Sequence, residues 1–339
     1  MTTRVVVVED SIVQRAHLVR ALQADGDIAV VGEAAGAVEA IEMVRSLRPD
    51  VVTLDLQIPD GGGQRVIEQV MASSPAPILV LSAAIADRES VAAVEALVAG
   101  AVDVVPKPVR WSASDELALR ARVRLVSGVG VVRRSVAPVI ARSAAPASGR
   151  SAGPAATIVA IGASTGGPAA LAEVLSGLDS LRASVLIVQH LHEDFVGGLV
   201  SWMARAAMMP VELARAGDSL RPGLVTIAPG GVHLRVDASD RIVLDPLPPS
   251  VHRPSIDVLF SSLAARPAGR NVGVLLTGMG DDGAAGLLEL RARGDVTIAQ
   301  DEATSVVFGM PRAAQLLGAA KHVSPLEQIA TIITKAVGR

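Results

Sequence analysis

From residue 5 to residue 108 short apolar runs alternate with amphipathic stretches, and the chain resumes the same alternation from residue 157 onward. The runs VVVV, IAVVGEA, VVTLDL, ILVLSA and VDVVPKP are continuous rather than alternating, which marks strands buried on both faces of a parallel sheet. With helices over 15–22 and 37–46, further helices between the later strands and a closing helix over 113–126, this half predicts five β/α units of a doubly wound sheet. The second half predicts another α/β domain from TIVAIGAS, SVLIVQH, GLVTIAP, RIVLD and VGVLLTG, with helical patterns such as PAALAEVLSGL and GAAGLLELRAR between them and a last helix after Ser324. Between the halves, apolar periodicity gives way to Gly, Pro, Ala, Ser and Arg. The expected layout is therefore a domain over 1–126, a linker over 127–156 and a domain over 157–339, with no fixed-period repeat.

A length of 339 residues suits two domains with separate cores. Only three Phe, two Trp and no Tyr are present, so those cores must be built from Val, Ile, Leu and Ala, and aromatic platforms for nucleic-acid bases are not expected. With 31 Lys plus Arg against 34 Asp plus Glu, the net charge of -3 gives no bulk attraction for nucleic acid or anionic membrane. The absence of cysteine removes disulfides, thiolate metal sites and a cysteine nucleophile. MTTRVVVVEDS enters a strand without a signal-like region, and no apolar run reaches membrane-spanning length, so a cytoplasmic location without membrane insertion is expected.

Open α/β sheets place ligands at the C-terminal ends of their strands. In the first half those ends carry Glu9 and Asp10, then Asp55, Ser82 and Lys107. Carboxylates gathered there repel one another unless a cation sits among them, and oxygen ligands suit Mg²⁺. The acidic pair, Asp55, Ser82 and Lys107-Pro108 together resemble the receiver domain of bacterial response regulators, a flavodoxin-like fold. The resemblance implies that Asp55 accepts a phosphoryl group from a histidine kinase, that Glu9, Asp10 and Asp55 hold Mg²⁺, and that Ser82 and Lys107 contact the phosphoryl oxygens. Val104 stands where receivers often carry a switch Phe or Tyr, so an aromatic rotamer flip is not expected.

In the second half, TIVAIGASTGGP ends a strand at Ser164 inside Gly162-x-Ser164-x-Gly166. A sharp strand-to-helix turn exposes such a hydroxyl, its glycines allow a substrate carbonyl close approach, and helix N-terminal amides can receive an oxyanion. His190 ends SVLIVQH and Asp282 follows VGVLLTGMGD, so a serine, a base and an acid each follow a strand. Spacing alone leaves His192 open beside His190, and Asp281 beside Asp282. The order Ser, His, Asp excludes an α/β-hydrolase, which runs Ser, acid, His.

GASTGGP, VQH, APGG with His233, HRPSID, TGMG-DDGA and VFGMP resemble the catalytic domain of chemotaxis protein-glutamate methylesterases, with a Rossmann-like sheet. The resemblance implies a catalytic triad of Ser164, His190 and Asp282, with Thr165 and Met279 polarising the histidine or forming an oxyanion pocket. It implies hydrolysis of γ-glutamyl methyl esters, and deamidation of certain glutamines, on chemoreceptors, with no cofactor for the hydrolysis. His233 and His252 could bind substrate or the other domain, or simply sit at the surface or brace loops, and Phe308 to Pro311 could shape the active-site wall or an interdomain contact, or simply pack. A receiver ahead of such a domain predicts that phosphate at Asp55 governs access to Ser164. The alternative is a regulator that binds receptors or other partners, under the same phosphorylation, without catalysis.

Overall fold

The computed structural model describes residues 2–82, 87–131, 157–179, 181–266 and 271–338. The chain forms two compact units, Met1–Pro138 and Val139–Arg339. Most of the expected linker over 127–156 lies outside the described residues, and its first residue, Ser127, closes a helix.

The first unit runs β1 (Thr3–Val8), α1 (Ile12–Gln23), β2 (Ile28–Ala34), α2 (Ala37–Leu47), β3 (Val51–Asp55), α3 (Gly62–Ser73), β4 (Ile78–Ser82), α4 (Asp87–Ala99), β5 (Asp103–Pro106) and α5 (Ala113–Ser127). Its five strands form one parallel sheet in the order β2-β1-β3-β4-β5. VVTLD and ILVLS are buried along their whole length, as continuous apolar strands under two helix layers must be. Ser11 caps α1, and Ser112 with Asp115 forms a capping box on α5, so polar residues set both helix starts. Strand order reverses between β1 and β3, which opens a crevice beyond their C-terminal ends.

The second unit runs β6 (Ile158–Ala163), α6 (Gly167–Ser176), β7 (Ser184–Gln189), α7 (Glu193–Ala206), β8 (Val211–Leu213), β9 (Val225–Ile227), β10 (His233–Val236), β11 (Ile242–Asp245), α8 (Ile256–Ala264), β12 (Asn271–Leu275), α9 (Ala284–Ala292), β13 (Val296–Gln300), α10 (Met310–Leu316), β14 (His322–Ser324) and α11 (Leu326–Val337). Seven strands form a parallel sheet in the order β14-β13-β12-β6-β7-β9-β8. From β6 the chain builds outward first through β7 and later through β12, so β6 is the switch point. Among the described residues no helix is long and apolar enough to cross a membrane.

One expected strand sits elsewhere. RIVLD does not join the parallel sheet; it forms β11, antiparallel to β10. The turn between them places Asp240 at φ 60, and Asp237 accepts from the amides of Ser239 and Arg241, closing a local hairpin. This ribbon packs Leu234, Val236 and Ile242 into the core beside Leu259, Phe260 and Leu263 of α8.

Candidate active site

In the first unit the crevice brings the expected acidic residues together. One carboxylate oxygen each from Glu9, Asp10 and Asp55 lies within 4.8 Å of the others. Lys107 Nζ donates to Glu9 Oε2 and to Asp55 Oδ2, each at 2.5 Å. The Asp55 side chain keeps 12% of its surface exposed, against 1% for Glu9. Burial pushes Glu9 above the ordinary carboxylate range against the pull of Lys107. Burial alone would lower Lys107, yet hydrogen bonds to Asp55 and Glu9 hold it above the usual lysine value. Ser82 is buried at the end of β4, and its carbonyl accepts from the Lys107 amide at 2.8 Å. Val104 is buried inside β5. Hard carboxylate oxygens at this spacing, strained by mutual repulsion, fit a divalent cation with oxygen preference.

In the second unit the sheet order β12-β6-β7 makes three neighbours of the strands that precede Asp282, Ser164 and His190. The ladder continues past the strand ends: the Ser164 amide donates to Thr277 O at 3.0 Å, and the His190 amide donates to Ala163 O at 2.9 Å. All three side chains therefore stand on one rim, at the switch point. Gln189, buried at the end of β7, donates through Nε2 to both Ser164 O (2.8 Å) and His190 O (3.0 Å), tying the serine and histidine backbones together.

His190 Nε2 donates to Asp282 Oδ2 at 2.8 Å, with the two side chains only 9% and 10% exposed. His190 Nδ1 is buried and has no hydrogen-bond partner among the described residues. The Ile256 amide (2.7 Å) donates to the same Oδ2, and Ser255 Oγ (2.7 Å) and the Asp257 amide (3.1 Å) donate to Oδ1, so the start of α8 holds the carboxylate. Burial alone would raise Asp282, but hydrogen bonds from His190, Ile256 and Ser255 bring its pKa down to about 2. An ionised Asp282 fixes the imidazole as the Nε2–H tautomer and leaves the Nδ1 lone pair for an incoming proton.

The two competing residues do other work. His192 is the N-cap of α7, where it accepts from the Asp194 amide, and its side chain is 45% exposed. Asp281 is exposed, and its carbonyl accepts from the Ala284 amide at 3.0 Å.

Thr165 and Met279 lie in the loops after β6 and β12. Thr165 contributes its carbonyl, which accepts from Thr277 Oγ1 at 3.0 Å. The Gly167 amide donates to Ser164 O at 2.8 Å, whereas the amides of Thr165 and Gly166 meet no acceptor among the described residues. His233 is fully buried; its Nδ1 accepts from the Ser255 amide and its Nε2 donates to Pro248 O, which makes it a loop brace. His252 stacks on His190. Met310 is buried against Gly278, next to the Ser164 side chain, so the FGMP segment walls the site as well as packing.

The glycines around Ser164 serve packing and turn geometry. A Cβ at Gly162 would lie 2.3 Å from Ile256 Cγ2, and Gly166 adopts φ 76 as the N-cap of α6, pressed against Val306. Gln189, Ser255, Ile256 and Asp257 escaped the sequence reading. Only the Ser-x-Asp of HRPSID, a helix N-cap signature, pointed toward α8.

Residues 159–333 match the CheB methylesterase family and residues 5–120 match the response regulator receiver domain family. The chain is 44% identical to "Protein-glutamate methylesterase/protein-glutamine glutaminase 2" of Anaeromyxobacter dehalogenans, covering 96% of this chain and 94% of that protein. It is 41% identical to "Protein-glutamate methylesterase/protein-glutamine glutaminase" of Symbiobacterium thermophilum, covering 99% and 97%. Among solved structures, the CheB methylesterase catalytic domain of Thermotoga maritima matches with a TM-score of 0.50 at 33% identity, covering 53% of this chain and 97% of that one.

Proposed function

The chain belongs to the CheB methylesterase family, and on that premise we propose that it is a phosphorylation-regulated serine hydrolase acting on γ-glutamyl methyl esters, and on certain glutamine amides, of chemoreceptors. The observation that carries the reading is the buried His190 Nδ1, left without a partner while Asp282 holds Nε2, on the rim that bears Ser164.

Ser164 Oγ attacks the ester carbonyl carbon as His190 Nδ1 takes its proton. Asp282, ionised and anchored on the first turn of α8, stabilises the imidazolium that forms. The amides of Thr165 and Gly166 would receive the developing oxyanion, while the Gly167 amide is committed to Ser164 O. His190 then protonates the departing methoxide, and methanol leaves an acyl-serine. Water, deprotonated by His190, adds to the acyl carbon, and the collapse of that adduct returns Ser164 and a free glutamate.

In the first unit Asp55 is the phosphoacceptor, with a chemotaxis histidine kinase as donor. Glu9, Asp10 and Asp55 would hold Mg²⁺, which when bound neutralises charge on the phosphoryl group. Lys107, already paired to Asp55, and Ser82 would bind the phosphoryl oxygens, so the charge added at Asp55 would compete for Lys107. A cytoplasmic location follows from this chemistry, because kinase and receptor adaptation segments meet there. Methanol release from methylated receptor membranes tests the proposal: the intact chain is expected to release it, and Ser164→Ala is expected to release at least about a thousandfold less. A chain that binds receptor but liberates no methanol would refute hydrolysis in favour of binding alone.

A further inference from the structure

His252 is exposed, yet its ring lies flat on the His190 imidazole, with centroids 4.2 Å apart and planes inclined by 15°. It precedes by three residues the Ser255 hydroxyl that holds Asp282. One short segment thus touches both members of the pair: a ring on the face of the base, and a hydroxyl with two amides on the acid. Buried His233 anchors that segment by accepting from the Ser255 amide and donating to Pro248 O. A histidine hydrogen-bonded through one nitrogen can still swing about that bond; a second ring against its face removes this freedom.

We propose that His252 is a positioning residue, a ring clamp that holds the His190 plane with Nδ1 directed at Ser164. This rests on the reading of His190 as the base and adds a residue that acts through the His190 ring. Stacking needs an aromatic face but no titratable nitrogen, so Phe should serve and Ala should not. A misaligned base slows proton transfer while leaving substrate binding unchanged, which separates the role from a structural one.

The test uses the full chain with a small-molecule phosphodonor, assayed for methanol release, and the histidine ring resonances of the resting protein. In His252→Ala, kcat is expected to fall about three- to tenfold with KM within about twofold, the range set by a single aromatic pair. The His190 resonances should broaden or shift. His252→Phe should recover kcat to within about twofold of the parent and keep the His190 resonances sharp. Unchanged kcat and resonances in His252→Ala would overturn the clamp, as would a Phe variant as slow as the Ala variant. A parent chain without methanol release would overturn the assignment of the base instead, and the resonances alone would then decide whether His252 orders the ring.

Discussion

At the scale of single residues, Ser164, His190 and Asp282 were legible because each follows an apolar run, and parallel sheets present strand ends on one rim. Spacing alone did not separate His190 from His192 or Asp281 from Asp282; the resemblance pointed to His190 and Asp282, and the structure pairs those two while using His192 as a helix cap and leaving Asp281 in solvent. Gln189 and Ser255 were not legible, since each works by bonding a residue distant in sequence, and no local pattern records such a bond. Two outcomes follow. Ser164→Ala should cut methanol release by at least about a thousandfold while phosphorylation of Asp55, followed with a radiolabelled phosphodonor, proceeds normally. Asp282→Asn should cost about a thousandfold or more in kcat, because an amide presents the wrong hydrogen-bonding to Nε2. The pKa of Asp282 is depressed from 3.8 to about 2, so its ionised form stabilises the fold fully above about pH 4, and that contribution fades as pH falls toward 2. Urea titrations of the parent and Asp282→Asn should therefore show a stability gap at pH 7 that narrows on acidification; a gap that widens would contradict the assignment.

At the scale of elements, long buried strands were readable and short edge strands were not. β8 and β14 span three residues each, too few to establish a period, and β10 carries His233 and Arg235 among its apolar positions. RIVLD reads like a sheet strand, but the chain returns at once through Asp237 to Arg241, and so short a connection permits only an antiparallel partner. The Gly-x-Ser-x-Gly signature was similarly double-edged, because Gly162 exists to admit Ile256 from the first turn of α8. That contact joins the nucleophile strand to the helix whose amides hold Asp282. Gly162→Ala should destabilise the second unit by about 1 to 3 kcal/mol through overpacking, read as a lower urea midpoint. Ile256→Ala, which removes the Cγ2 that the new Cβ would meet, should cost less in the Gly162→Ala background than in the parent. Full stability in Gly162→Ala would show that the strand and α8 separate at little cost.

At the scale of the whole chain, each unit carries its own sheet and its own rim chemistry, so the two activities should be separable by ligand. The carboxylates of Glu9, Asp10 and Asp55 crowd within 4.8 Å, and the positive charge shared between Glu9 and Asp55 is that of Lys107. Phosphoryl transfer brings further negative charge to this crevice, which a divalent cation must offset. The proposed hydrolysis at Ser164 would place its charge on backbone amides and His190 and would ask for no such ion. Chelating divalent metal should therefore abolish the rise in methanol release that a phosphodonor produces, while the unstimulated rate of the full chain stays the same. Asp55→Asn should copy the chelated protein, with or without metal. Residues 157–339 alone, which lack the phosphoacceptor, should release methanol at a rate indifferent to both phosphodonor and chelator. A chelator that silences unstimulated hydrolysis would place a metal at the serine site and overturn this division. A phosphodonor response surviving in Asp55→Asn would move the phosphoacceptor to another residue.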